Sequence, residues 1–169
     1  MSLDNLGDFA DIIAVPLAIF GLILIIHQLK MTRHESQTEH NRRQNEMTFN
    51  AYNTVRSDLR ETIQRIRKKL ELEDMFDKFS EEHLRQITND KELRDDVAKM
   101  LGFLNKFAVG IKYEVFNIGL VNDLSGKLFI ETYRQFKPYI DWVRKDYETF
   151  YVDYENLVLE LKKLRNYKD

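Results

Sequence analysis

Residues 9–29 read FADIIAVPLAIFGLILIIHQL, and from Ile12 to Ile26 fifteen consecutive residues carry no charge and no strongly polar group. A helix rises about 1.5 Å per residue, so this 21-residue stretch would cover roughly 31 Å, close to the hydrocarbon thickness of a bilayer at about 30 Å. Everything after Lys30 is polar, highly charged and amphipathic. The pattern predicts one membrane-crossing helix that carries a hydrophilic domain.

The flanks refine that reading. A cleaved secretion signal has a positive leading region and a small-residue cleavage site after its apolar core. Here Asp4, Asp8 and Asp11 lead in, and the core runs into His27, Gln28, Leu29 and Lys30. A signal peptide and a helix buried in a soluble core are the competing explanations, and both fit less well. Lys30, Arg33, Arg42 and Arg43 follow the apolar run and no Lys or Arg precedes it. The positive-inside rule then predicts an external N-terminus and a cytoplasmic C-terminal domain. The expected order is a short external segment over residues 1–8, a transmembrane helix over 9–29, a polar juxtamembrane helix over 30–46 and a cytoplasmic helical domain over 47–169.

The net charge of −2 on 169 residues gives no global field for nucleic acid. Residues 30–70 are nonetheless basic, with ten Lys/Arg against five Asp/Glu. There is no cysteine, which excludes disulfides, thiolate metal sites and cysteine nucleophiles. No HExxH pattern occurs, His34 and His40 are poorly spaced for one metal ion, and no Gly-rich phosphate loop is present, so neither a metal nor another cofactor is expected.

The domain reads as all-α. No Gly lies between Gly21 and Gly102 and no Pro between Pro16 and Pro138, so the first helix can run on through the polar stretch 31–45. From there Tyr52, Val55, Leu59, Ile63, Ile66 and Leu70 step by three or four along one face. Ser80 can cap a short helix, and Asn89 or Asp90 the next, expected from Lys91 to Ile118 with Gly119 as its C-terminal cap. Asn122 is expected to cap a helix through Phe136, Pro138 to start another, and residues 147–167 to form the last, burying Phe150, Tyr154, Leu157, Val158, Leu161 and Leu164.

Within the apolar run, Ala10, Ala14 and Ala18 recur every four residues and Gly21 continues the same side. Small residues let membrane helices approach closely where no hydrophobic drive exists, so this ridge is the expected oligomer interface. Asp4, Asp8 and Asp11 share a helix face, and an ionised carboxylate avoids lipid. In a ring of subunits Asp8, Asp11 and Gln28 become candidate pore-lining groups that favour cations; headgroup-level residues that set topology are the plainer alternative. Arg56, Arg60, Arg65, Arg67, Lys68 and Lys69 form a basic face that could meet a partner, anionic lipid or phosphate, or simply water. Arg33 and His40 have the Arg-x6-His spacing seen in HEPN-type helical ribonucleases, where His moves protons and Arg holds phosphate across a dimer. Such a spacing recurs by chance in a chain this rich in arginine, and direct nucleic-acid binding is not expected from it.

The order of parts then carries a family resemblance. An apolar run is followed by an unpunctuated polar helix, by MLGFLNKFAVGIKYEVFNIGLV over residues 100–121, and by YRQFKPYIDWVRKD over 133–146. In this the chain resembles bacterial single-span proteins with a helical cytoplasmic domain, and among them looks most like the small membrane accessory proteins of type VI-B CRISPR systems. The resemblance implies a pore-like inner-membrane ring of about eight subunits. Such a ring would depolarise the membrane and strengthen antiphage defence beside an RNA-guided ribonuclease. It also implies that Arg33 and His40 belong to a degenerate HEPN-like feature. Two alternatives stand beside it: a membrane-tethered ribonuclease using Arg33 and His40, and a passive anchor that recruits a partner through the basic face.

Overall fold

The computed structural model describes residues 3–72 and 79–167, and within these the side chains of Leu22, of 24–72 and of 79–167. Five helices follow one another: α1 (Leu3–Lys69), α2 (Glu81–Asn89), α3 (Lys91–Lys112), α4 (Ile118–Arg144) and α5 (Val152–Leu164). Among the described residues there is no strand, so the expected all-α class holds. The chain divides into two units, Met1–Arg43 and Gln44–Asp169.

The second unit is a helical bundle built on the periodicity of its sequence. Leu59, Ile66 and Leu70 of α1 are buried, and Tyr52, Val55 and Ile63 pack half-buried beside them. From α3 come Leu93, Val97, Met100, Leu101, Leu104, Phe107 and Ala108, from α4 Phe129, Ile130, Phe136 and Ile140, and from α5 Tyr154, Leu157, Val158 and Leu161. Burying each large aliphatic side chain contributes about 1.5–3 kcal/mol before entropy is charged. Aromatic contacts link four helices in series: Tyr52 to Phe107 at 6.4 Å, Phe107 to Phe129 at 6.0 Å, Phe129 to Tyr154 at 6.0 Å and Tyr154 to Tyr133 at 5.5 Å. Tyr154 is fully buried, and its hydroxyl donates to the Phe129 carbonyl at 2.7 Å, so no polar atom of the ring is stranded in the core.

Caps set the helix starts. Ser80 Oγ accepts from the His83 N–H and His83 Nδ1 accepts from the Ser80 N–H, both at 3.2 Å, a reciprocal cap worth about 1 kcal/mol at the start of α2. Asp90 caps α3 by accepting from the Leu93 N–H at 3.0 Å.

Several expected boundaries are corrected. Helix α3 ends at Lys112, not Ile118, and Val115 is exposed. The chain reverses there because Val115 and Phe116 both donate to the Gly110 carbonyl and Glu114 takes a left-handed φ of 55°. Asn117, rather than Asn122, caps α4 by accepting from the Leu120 N–H, which leaves Gly119 inside the first turn. Pro138 starts no new helix but sits within α4, on an exposed stripe with Arg134, Lys137 and Asp141. Water can satisfy the carbonyl that a proline leaves unpaired on such a stripe. The break in α4 lies earlier, at Ser125 (φ −159°, ψ 17°), where Arg165 donates to the Asn122 carbonyl at 3.1 Å. Helix α5 begins at Val152 instead of 147, because Tyr151 adopts a left-handed φ of 59°. Phe150 and Leu164, expected in the core, are exposed.

Candidate functional site

The unit Met1–Arg43 carries most of the residues that the sequence marks for function. Asp8, Ala10, Asp11, Ala14, Ala18 and Gly21 lie outside the described side chains. Gln28 is exposed. Among the described residues no helix is long and apolar enough to cross a membrane. Among the described side chains of the apolar run, Leu22, Ile25 and Leu29 keep 59%, 54% and 64% of their surface, and Leu24, Ile26 and the following Met31 are similarly exposed.

Arg33 and His40 are both exposed on α1. Seven positions apart, they lie on one side of the helix with roughly 10.5 Å of axial rise between them. Nearby, Glu39 draws Arg43 to 3.5 Å and Arg42 to 4.0 Å, exposed pairs of little energetic weight.

The basic face of residues 56–69 is less available than its sequence suggests. Arg65 grips Asp96 with two bonds, Nε to Oδ2 at 3.0 Å and Nη2 to Oδ1 at 2.7 Å. That hydrogen bonding holds the Asp96 carboxyl below its usual range and raises the guanidinium. Lys69 donates to Glu92 at 2.7 Å and Asp90 at 3.1 Å, and both contacts raise its pKa. The Asp90 carboxyl is lowered, first by the Leu93 N–H it caps and then by Lys69. Arg67 is half-buried and has its own interaction. Arg56, Arg60 and Lys68 remain exposed.

Sequence reasoning missed a cluster between α4 and α5. Tyr133 donates to Glu155 at 2.5 Å, and Arg144 donates to the other Glu155 oxygen at 2.8 Å. Arg144 Nε also donates to the Phe150 carbonyl at 2.9 Å, so one guanidinium holds both the helix and its preceding connector. The Glu155 carboxyl is lowered by Tyr133 and then Arg144, while burial and Glu155 push the Tyr133 hydroxyl well up. A second such group is Glu131, 5% exposed, which accepts from Tyr167 and pairs with Arg134 at 2.5 Å. No i, i+3 or i, i+4 signal announces the long-range partners, since they are 22 and 36 residues distant.

A core cavity beneath α1, lined by Ile66, Met100, Thr132 and Phe136 among others, measures about 10 Å³ and admits at most a water molecule. Among the described residues no group of three or more metal-ligating side chains converges.

These observations define a helical-bundle protein with exposed apolar side chains along the first half of α1 and with ion pairs between its helices. Residues 9–161 match the family described as a domain of unknown function, DUF4760, and the chain belongs to that family. The match takes in the apolar run as well as the bundle. No curated protein and no solved structure matches the chain.

Proposed function

We propose that this protein is a non-enzymatic, oligomeric membrane effector of the bacterial inner membrane. In this reading α1 crosses the bilayer over residues 9–29, with the N-terminus outside and the bundle in the cytoplasm. The observation that carries it is the uninterrupted apolar run, whose described side chains from Leu22 to Leu29 are exposed. Several large apolar side chains left on one helix segment are stable only against lipid or neighbouring helices.

Two features of the run support association and a wet interior. The ridge of Ala10, Ala14, Ala18 and Gly21 suits close packing between copies, and Asp8, Asp11 and Gln28 would face a water-filled axis. Closure into a ring of about eight subunits, membrane depolarisation and reinforcement of CRISPR-based antiphage defence rest on the family resemblance. The test is a potential-sensitive dye in bacterial cells that express the protein. Depolarisation on induction supports the proposal, and an unchanged potential at confirmed membrane expression removes it.

A further inference from the structure

Along α1, Thr48 is the first described side chain to be fully buried, at 0% exposure, and it is polar. Its hydroxyl is used in both directions. It donates to the Gln44 carbonyl at 2.6 Å and accepts from the Asn117 N–H at 2.8 Å. One turn earlier, Gln44 Nε2 donates to the Glu114 carbonyl at 2.5 Å. Two residues of α1 thus hold both ends of the 113–117 connector between α3 and α4.

The connector has little freedom of its own. Glu114 is in the left-handed region, Gly110 receives two N–H groups, and a Cβ at Gly110 would come within 2.2 Å of the Phe116 ring. Phe116 in turn packs on Phe107 at 5.3 Å, and Phe107 on Tyr52 of α1 at 6.4 Å. Asn117 belongs to two structures at once: its N–H is bound to α1 while its side chain caps α4. A valine at position 48 would fill the same space, so packing alone does not require the hydroxyl. What the hydroxyl adds is direction. Rotating or sliding α1 by one residue breaks its bond to Asn117 and separates Gln44 from Glu114.

We propose that Gln44 and Thr48 form a joint that couples the register of α1 to the first turn of α4, so that a shift of α1 frees the Asn117 cap. The device depends only on contacts within residues 44–121, whatever surrounds the apolar run. Coupling between two elements is reciprocal, which gives two independent readouts.

The experiment is hydrogen exchange on the full-length protein in detergent micelles, followed in peptides over residues 44–52 and 117–121. Peptides from α3 and α5 serve as references. Thr48→Val should speed exchange at 117–121 about tenfold, Thr48→Ser should restore protection, and Gln44→Ala should loosen 113–117. From the other side, Gly110→Ala should displace Phe116 and speed exchange at 44–52. Wild-type exchange at 117–121 in Thr48→Val overturns the proposal. So does a Gly110→Ala variant whose connector opens without any response in α1. Uniform loss of protection across α3 and α5 in both Thr48→Val and Gln44→Ala also overturns it, because Thr48 would then support the whole core.

Discussion

The Tyr133 hydroxyl of α4 donates to the Glu155 carboxylate of α5 at 2.5 Å, and Arg144 closes the other side of that carboxylate at 2.8 Å. Both contacts bridge helices whose sequences show no complementary pattern. Removing the hydroxyl in Tyr133→Phe leaves Glu155 its arginine and should cost about 1–2 kcal/mol, since hydrogen bonds to charged groups sit at the upper end of the usual range and this one is partly solvated. Glu155→Gln weakens both contacts and should cost more. Urea titration followed by circular dichroism checks the order of the two variants.

The same pair contributes to the pH response at both ends. Glu155 titrates below its ordinary value of 4.5 in the folded chain. Its stabilisation is complete above the unfolded value and is lost as pH falls through the folded one. Tyr133 titrates above its ordinary value of 10.0, mainly through burial. Its contribution is complete below 10.0 and declines as pH rises beyond it. The midpoint of unfolding should therefore fall below about pH 4.5 and above about pH 10, and Tyr133→Phe should flatten the alkaline limb.

Much of this fold is legible in the sequence because its signals are periodic. The apolar steps from Tyr52 to Leu70 and from Leu93 to Ala108 land in the core, and Ser80 and Asp90 cap the helices that follow them. The errors fall where non-local contacts decide. A glycine at 119 looks like a helix end, but the close approach of Phe116 to Gly110 turns the chain earlier. A proline at 138 looks like a start, but its place on the exposed stripe of α4 makes it tolerable. The apparent basic face of α1 is partly consumed by Asp96, Asp90 and Glu92, which periodicity within α1 cannot foresee.

Association through the small-residue ridge predicts a clear outcome. Ala14→Leu combined with Ala18→Leu holds the backbones apart and should convert the oligomer to monomers in mild detergent, read by light scattering. An unchanged oligomer would place the interface elsewhere. Asp11→Asn should change cation flux from liposomes if that carboxylate lines the path.

The ribonuclease alternative separates cleanly from the effector reading. His40 is exposed on α1. His40→Ala should leave cellular protection against phage intact and RNA uncleaved in both forms. Loss of protection together with loss of an RNA-cleaving activity would instead make Arg33 and His40 the working pair.

The most direct test of the account is whether the polypeptide is integral to the membrane. Membranes from expressing cells are washed in alkaline carbonate, and a tag placed after Asp169 is probed in intact spheroplasts. The full chain should stay with the lipid pellet, and the tag should be reached only after the inner membrane is opened. Release of the chain into the wash, or a tag reached from the periplasmic side, would contradict it.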